Sequence, residues 1–356
     1  MPVDQPIAIF EDGSPEHRRD VDALEGLGVS IPECWRPRAP GTQIPAFRKV
    51  WVRQVISGSP LGFSLSMSRS RRVPWARIAR LEQVGDPYFA AHAARFAKLL
   101  KNAVRNVGAV MRVEVRVLHR ESSVRQALIT AMHSEGGVLS RTPSYYRHTH
   151  LLDVTCSAAE MFGRLPSVAR RRIRQPINRG LLLRENAVRN DDVGRLLELM
   201  HSAFSRTSGG FDRARSERDI LASIREPAHR PLFTLEDAER SDSNRIVSFA
   251  LGADNGDHVT YTHGASERSA GLGGLPLGYA PIWAMAEWGI RRGVRWIDLG
   301  GISLAEGENV ALSGITSFKR QFGGVDAQVA DEVTLVMRPS SVSVERLIGR
   351  WTSSRR

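Results

Sequence analysis

The chain has 356 residues, 42% hydrophobic and 25% charged, a globular composition whose length suits two domains better than a single core. Lys and Arg number 50 against 38 Asp and Glu, a net charge of +12. That excess favours a phosphate-rich partner (nucleic acid, a nucleotide-linked substrate or an anionic membrane surface), although a coding bias toward arginine gives the same balance.

The opening "MPVDQPIAIFEDGSPEHRRD" has no basic segment followed by an apolar run, so it does not read as a signal peptide. No apolar stretch approaches ~20 residues, so the expectation is a soluble cytoplasmic protein. Residues 49–67, "KVWVRQVISGSPLGFSLSM", predict a hairpin, and 87–108, "PYFAAHAARFAKLLKNAVRNVG", one long helix. A buried strand over 109–118 and a helix over 122–137 follow. The two cysteines, Cys34 and Cys156, have no metal spacing and make no disulfide framework.

The second half reads more clearly. Ser157 stands three residues before Glu160, a capping-box signature for a helix running toward Gln175. "GLLLREN" predicts a strand. "NDDVGRLLELMHSAFSR" predicts a helix capped by Asn190 or Asp191, with Val193, Leu196, Leu197 and Met200 as its apolar stripe. A second helix covers 214–224, then three strands cover 231–237, 245–253 and 258–266, with "DNGD" as the last turn. A helix over 279–292 stops at Gly293, a strand covers 294–301, and a short helix through Phe318 precedes a last strand over 327–337. This element order resembles the GNAT acyltransferase fold. The first half looks like a vaguer copy, so the expected fold class is mixed α/β, with two tandem GNAT-like domains packed against each other. The expected bounds are 1–148, completed by 325–356, and 149–324.

Residues 149–186 carry an extended segment, a capped helix, the basic run "RRRIR" and a glycine before a strand. They resemble the central segment of the Fem-type aminoacyltransferases, the tRNA-dependent enzymes that build cell-wall interpeptide bridges. "YTHGAS", "GYAPIWAMAEWGIRRGVRWIDLGGI" and "FKRQFGG" resemble that family's C-terminal signature in order and rough spacing. The likeness covers about residues 80 to 340 and is specific over 150–180 and 261–324. It implies that Phe318 and Lys319 sit in a catalytic cavity. Acyl transfer from an ester to an amine passes through a tetrahedral oxyanion, and a fixed ammonium nearby lowers that barrier. An amphipathic helix with packed phenylalanines and solvated cations would read the same way. Arg320 would face a phosphate or a neighbouring carboxylate.

Arg170, Arg171 and Arg174 fall on one side of a helix by the i, i+3, i+4 rule and form either a phosphate-binding or a solvated face. Pro176, where the family continues with alanine, is expected to kink or end that helix. The resemblance puts Arg206 at a position that binds the acceptor's phosphates; a helix-end arginine answering the macrodipole is the alternative. Arg268, Gly271 and Gly273 match the R-x-x-G-x-G of acyl-CoA-binding GNAT proteins, but Leu275 to Gly278 separate them from the next helix. A flexible connector is the competing reading. Tyr279 joins the substrate-binding set. Asp298 would accept a proton from the incoming ammonium or tie down the Gly300–Gly301 loop. His148 and His150 share a strand face without a third ligand, so no metal is expected. The absence of a G-x-S-x-G elbow or a Cys–His pairing fits direct attack by the amine.

These readings point to an aminoacyltransferase moving an amino acid from aminoacyl-tRNA to an amine of a UDP- or lipid-linked peptidoglycan precursor. It would act as a monomer with no cofactor. The alternatives are an acyl-CoA-dependent GNAT N-acyltransferase, in natural-product or polysaccharide biosynthesis, and a non-catalytic RNA-binding protein. The tail "SVERLIGRWTSSRR" predicts a helix with Val344, Leu347, Ile348 and Trp351 in one stripe. That stripe either docks on the domain or makes a peripheral contact with the inner membrane surface.

Overall fold

The computed structural model describes residues 6–38, 47–56, 59–70, 72–140, 146–205, 211–268, 272, 274–304 and 310–353. They fall into two units: Met1–Arg147 with Gln328–Arg356, and His148–Ala327. The first unit begins with β1 (Ala8–Glu11), α1 (Pro15–Gly26), β2 (Phe47–Ile56), β3 (Ser59–Arg69) and β4 (Arg77–Val84). It continues with α2 (Pro87–Ala91), α3 (Ala93–Val107), β5 (Val110–Leu118), α4 (Ser122–Ser134) and β6 (Gly137–Leu139). The second unit comprises β7 (His148–Asp153), α5 (Ala158–Arg164), α6 (Ser167–Asn178), β8 (Leu182–Glu185), α7 (Val193–Phe204) and α8 (Arg213–Arg225). After these come β9 (Leu232–Glu236), β10 (Ile246–Asp254), β11 (His258–Ser266), α9 (Tyr279–Arg292), β12 (Trp296–Gly301), α10 (Val310–Arg320) and β13 (Val325–Gln328). The chain then returns to the first unit as β14 (Ala330–Val336) and α11 (Pro339–Ser353).

Each unit holds one mixed sheet, ordered β1-β2-β3-β4-β5-β14-β6 in the first and β13-β7-β12-β11-β10-β9-β8 in the second. Strand alternation divides the second unit's core. Phe233 and Ala250 face a cluster with Ala169 and Ile173 of α6 and Ile282 and Met285 of α9. Their neighbours Leu232, Phe249 and Leu251 face Leu196, Leu197 and Met200 of α7 and Ile220 of α8. The sheet is therefore covered on both faces by helices, as a period-2 pattern of uniformly apolar strands requires.

The local signals explain most boundaries. Ser157 and Glu160 form the expected capping box, and α9 stops at Gly293 with φ +77. Several expectations need correction. The helix read over 87–108 breaks at His92, whose ring Nδ1 lies 2.8 Å from the Tyr88 carbonyl. The helix opened by Ser157 ends at Arg164, because Pro166 forces an extended Leu165 before α6. Pro176 does not end α6, which runs to Asn178 with the proline buried on the Ala169–Ile173 stripe. Neither Asn190 nor Asp191 caps α7. Both lie in a 3-10 turn closed by Arg189 N donating to Asp192 Oδ2 at 2.9 Å. The last strand is two, β13 in one sheet and β14 in the other. On α11, Val344 and Leu347 are exposed, so the expected docking stripe is not what meets the domain; the Ile348 and Trp351 side chains lie outside the described residues.

Between α10 and β13 the chain turns through Gly323 (φ +72) and Gly324 (φ +91). A Cβ on Gly324 would stand 2.2 Å from the Leu151 carbonyl oxygen, a backbone atom that cannot step aside. Gly324→Ala is expected to lower unfolding stability by on the order of 2–4 kcal/mol, since strained φ and backbone overlap act together. Urea denaturation checks this, and a change below ~1 kcal/mol would contradict the packing described here.

Candidate functional site

The parallel pairs β4–β5 and β11–β12 end differently. In the first unit β4 and β5 stay paired from Arg77↔Val110 to Val84↔Val117. A Cβ on Gly85 would stand only 1.7 Å from Leu118 O, so the strands close on each other there. In the second unit β11 and β12 pair only at His258↔Trp296, Val259↔Ile297 and Thr260↔Asp298. Beyond that point β11 continues to Ser266 and β12 to Gly301 without pairing each other. The gap leaves backbone groups of both strands facing a wedge, the kind of switch in a sheet where ligands bind.

The last turn of α10 fills the approach to this wedge. Lys319 is 7% exposed, and its Nζ donates to Gly301 O at 2.7 Å. A Cβ on Gly300 would lie 3.4 Å from that ammonium and 3.6 Å from Tyr261 O, so Lys319 sits over the bare backbone between the strands. Gly300 has φ +79, which a side chain would strain. Burial lowers the Lys319 pKa from its ordinary 10.5 to about 8, and the negative charge of Asp298 opposes that fall. Asp298 accepts from Gly300 N at 2.6 Å and from the Thr149 hydroxyl. The carboxylate is thus engaged in holding the glycine loop, the second of the two roles weighed for it. Burial also raises the Tyr261 phenol's pKa.

Phe318 and Phe322 flank Lys319 along the chain and make one wall with Tyr279. Tyr279 meets Phe318 edge-on at 4.9 Å between ring centroids and stacks on Phe322 at 5.2 Å. Phe318 also covers Gly278, the residue preceding α9: a Cβ there would lie 3.5 Å from the phenylalanine ring. The Tyr279 hydroxyl donates to Gln321 Oε1 at 2.6 Å and accepts from Arg172, which also bonds Gln321. The Arg172 guanidinium carbon stands 5.3 Å from the centre of the Tyr279 ring. Both cations here, Lys319 and Arg172, take neutral hydrogen-bond partners among the described residues.

The structure thus brings Phe318, Lys319, Asp298 and Tyr279 together. The other expected residues stand apart from this wall. Arg170 donates to Gly163 O at 2.7 Å, Arg174 lies 4.7 Å over the Phe162 ring, and Arg171 is exposed. Arg320 reaches a carboxylate, with Nε and a terminal nitrogen 2.9 and 2.6 Å from Asp326 Oδ2. The other Asp326 oxygen meets His150 Nδ1 at 2.6 Å, so that histidine belongs to an ion-pair network; His148 is half-buried at the start of β7. Among the described residues no group of three or more His, Cys, Asp or Glu is arranged to hold a metal. Arg268 is exposed, while Arg206, Gly271 and Gly273 lie outside the described residues.

Arg172, Gln321 and Phe322 escaped the sequence reading. A signal for Arg172 existed. Ala169, Ile173 and Pro176 form the buried stripe of α6, and Arg172 lies three residues from one and four from another, on its flank.

Residues 167–320 match the acetyltransferase (GNAT) domain family. Among curated proteins none matches this sequence. Among solved structures, FemX is similar with a TM-score of 0.72 at 12% identity, over 95% of this chain and 100% of FemX. The structure of L-PGS from Bacillus licheniformis gives 0.52 at 13% identity, over 96% and 99%. A tandem GNAT protein from the clavulanic acid biosynthesis pathway gives 0.51 at 14%, over 93% and 98%. At such identities the likeness is one of fold. Residues 167–320, within the second unit, are similar to the GNAT domain family, and the chain as a whole has a mixed α/β, tandem GNAT-like fold similar to these structures.

Proposed function

We propose that this protein is an aminoacyltransferase that moves an amino acid from aminoacyl-tRNA to an amine of a peptidoglycan precursor. One observation carries the reading: a buried ammonium, bonded to a backbone carbonyl, stands over the bare glycine backbone of an open strand pair. In that reaction the free amine attacks the ester carbonyl, a C–N bond forms, and the oxygen becomes an oxyanion. The C–O bond then breaks, and the ribose hydroxyl leaves with a proton released by the amine. Lys319 has three N–H donors and gives one to Gly301, so two remain for the oxyanion. Phe318, Tyr279 and Phe322 exclude water from it, which strengthens the charge interaction. The net charge of +12 supports an RNA donor, and the resemblance of the motifs around "RRRIR" and "FKRQFGG" to the Fem-type enzymes supports an acceptor of cell-wall chemistry.

Acyl-CoA is the second donor to consider, favoured by the match of residues 167–320 to the acetyltransferase domain. The two readings separate in a crude reaction. Transfer from aminoacyl-tRNA is expected to disappear after ribonuclease treatment and to persist without CoA. Activity that survives ribonuclease and requires acyl-CoA would replace the first donor with the second.

Lys319→Met keeps the volume of the side chain and removes its charge. Turnover is expected to fall on the order of 10²-fold or more, the loss that follows removal of one oxyanion donor. Because the ammonium does the work, turnover of the parent at saturating substrate, relative to Lys319→Met, is expected to decline as pH rises through about 8. Deprotonation of the acceptor amine raises turnover over the same range, so the comparison is with Lys319→Met: a parent profile that rises more steeply than the variant's would make Lys319 a proton acceptor and overturn the assignment.

The same burial has a thermodynamic sign. The folded pKa of about 8 lies below the ordinary 10.5, so between those values the unfolded chain binds more protons and stability rises with pH. Below about pH 8 the folded protein carries the full cost of the buried charge. At pH 7 the inactive Lys319→Met protein is therefore expected to be more stable than its parent, by on the order of 1–3 kcal/mol. The difference should shrink toward pH 10. A variant destabilised at pH 7 would show that Lys319 is structural.

A further inference from the structure

The turn between β3 and β4 and the helix α11 form one corner of the first unit. The turn closes on itself, with Ser70 N donating to Ala76 O and Ala76 N to Val73 O, each at 2.9 Å. Val73 and Ala76 are buried with Ile78, Met111 and Val342 of α11. Ser70 Oγ donates to Glu345 at 2.9 Å, and Arg112 pairs with the other oxygen of that carboxylate. The corner is thus locked by a small apolar cluster and a neutralised glutamate.

Its outer side is apolar where water would favour polar groups. Between the buried Val73 and Ala76 the turn presents Pro74 and Trp75, and Trp75 is 69% exposed. A step of ~100° per helical residue puts Val344 and Leu347 across α11 from Val342 and Glu345. Leu347 is 64% exposed, and Val336 at the end of β14 is exposed as well. Arg69, Arg72 and Arg338 lie exposed on the same three segments, with no acidic partner among the described residues. Isolated apolar residues on a surface need no explanation, but a tryptophan with three aliphatic side chains and three unneutralised guanidiniums is a directed pattern.

We propose that this corner docks on an anionic lipid bilayer. Trp75 and Leu347 enter the headgroup region, and Arg69, Arg72 and Arg338 meet lipid phosphates. An indole is suited to the interface because its ring is apolar and its N–H stays in reach of water. α11 lies along the surface with its outward residues immersed, and the arginines add an attraction that acts within a Debye length. The attachment is peripheral: among the described residues no helix is long and apolar enough to cross a membrane. An RNA partner fits less well, since base stacking runs over several rings and Leu347, Val344 and Val336 have no use for a base. The inference stands independently of the acyl donor and acceptor.

Flotation of the full chain with vesicles of equimolar phosphatidylglycerol and phosphatidylcholine tests it. The parent is expected to float with these vesicles and not with pure phosphatidylcholine. Trp75→Ser combined with Leu347→Ser should weaken binding ~10-fold or more without shifting the melting temperature, because both side chains are already in water. Arg72→Gln combined with Arg338→Gln should weaken it and flatten its salt dependence. Hydrogen exchange of the parent needs no variant: amides of residues 72–77 and 339–347 should slow on adding vesicles. The proposal fails if the parent ignores anionic vesicles, or if protection maps elsewhere. It also fails if the apolar pair of substitutions abolishes tRNA binding or self-association while leaving vesicle binding intact.

Discussion

The hydrogen bond from Lys319 to the Gly301 carbonyl places a buried cation against a neutral acceptor, with no carboxylate bonded to it among the described residues. Much of the second unit's local geometry answers to that placement. Gly300 adopts a left-handed φ of +79, which favours glycine, and the ammonium lies close beside its backbone. Asp298 is two residues upstream, close enough to temper the charge, and its Oδ1 accepts from both Gly300 N and the Thr149 hydroxyl. A direct ion pair would raise the lysine pKa and spend the cation on the protein itself. The arrangement keeps it available.

The last turn of α10 acts as a junction in which successive side chains reach different elements. Phe318 covers the entrance to α9, Lys319 reaches β12, Arg320 turns to Asp326, and Gln321 joins Arg172 of α6 to Tyr279 of α9. Two of the wall's three rings, Phe318 and Phe322, and the ammonium are therefore carried on one short segment, with Tyr279 of α9 packed against it. Arg172 braces that segment from the side through two neutral acceptors and a ring face. A chain of contacts of this kind ties the positions of α6, α9 and the end of α10 to one another.

Local rules carried the sequence reading where an element's residues fix it by themselves. The capping box at Ser157, the glycine stop at Gly293 and the three antiparallel strands all follow from short-range chemistry. Phe318 and Lys319 were singled out through the family resemblance and Tyr279 as a substrate-binding candidate, and the fold brings the three side by side. The failures have a common cause in long-range packing. Pro176 stays helical because its ring completes a buried stripe, which outweighs the lost hydrogen bond. Residues 327–337 look like one strand, since nothing local reveals that β13 and β14 join different sheets. Arg172 differs from its neighbours only by a quarter-turn of helix, and which quarter faces the wall depends on where α9 lies.

The position of β14 has a consequence for how the chain is made. β14 lies between β5 and β6, and β6 has no other neighbour in the sheet. A nascent chain emerging from the ribosome thus presents the first unit with a slot that stays vacant until residue 336 has cleared the tunnel. The second unit, whose sheet draws only on strands from His148 to Gln328, has its full set of strands sooner. Vectorial synthesis would favour the reverse order in most two-domain proteins, N-terminal unit first. Here the inserted second unit is complete while β5 still offers an open edge, and the closing act of biogenesis is the threading of one strand into a waiting sheet.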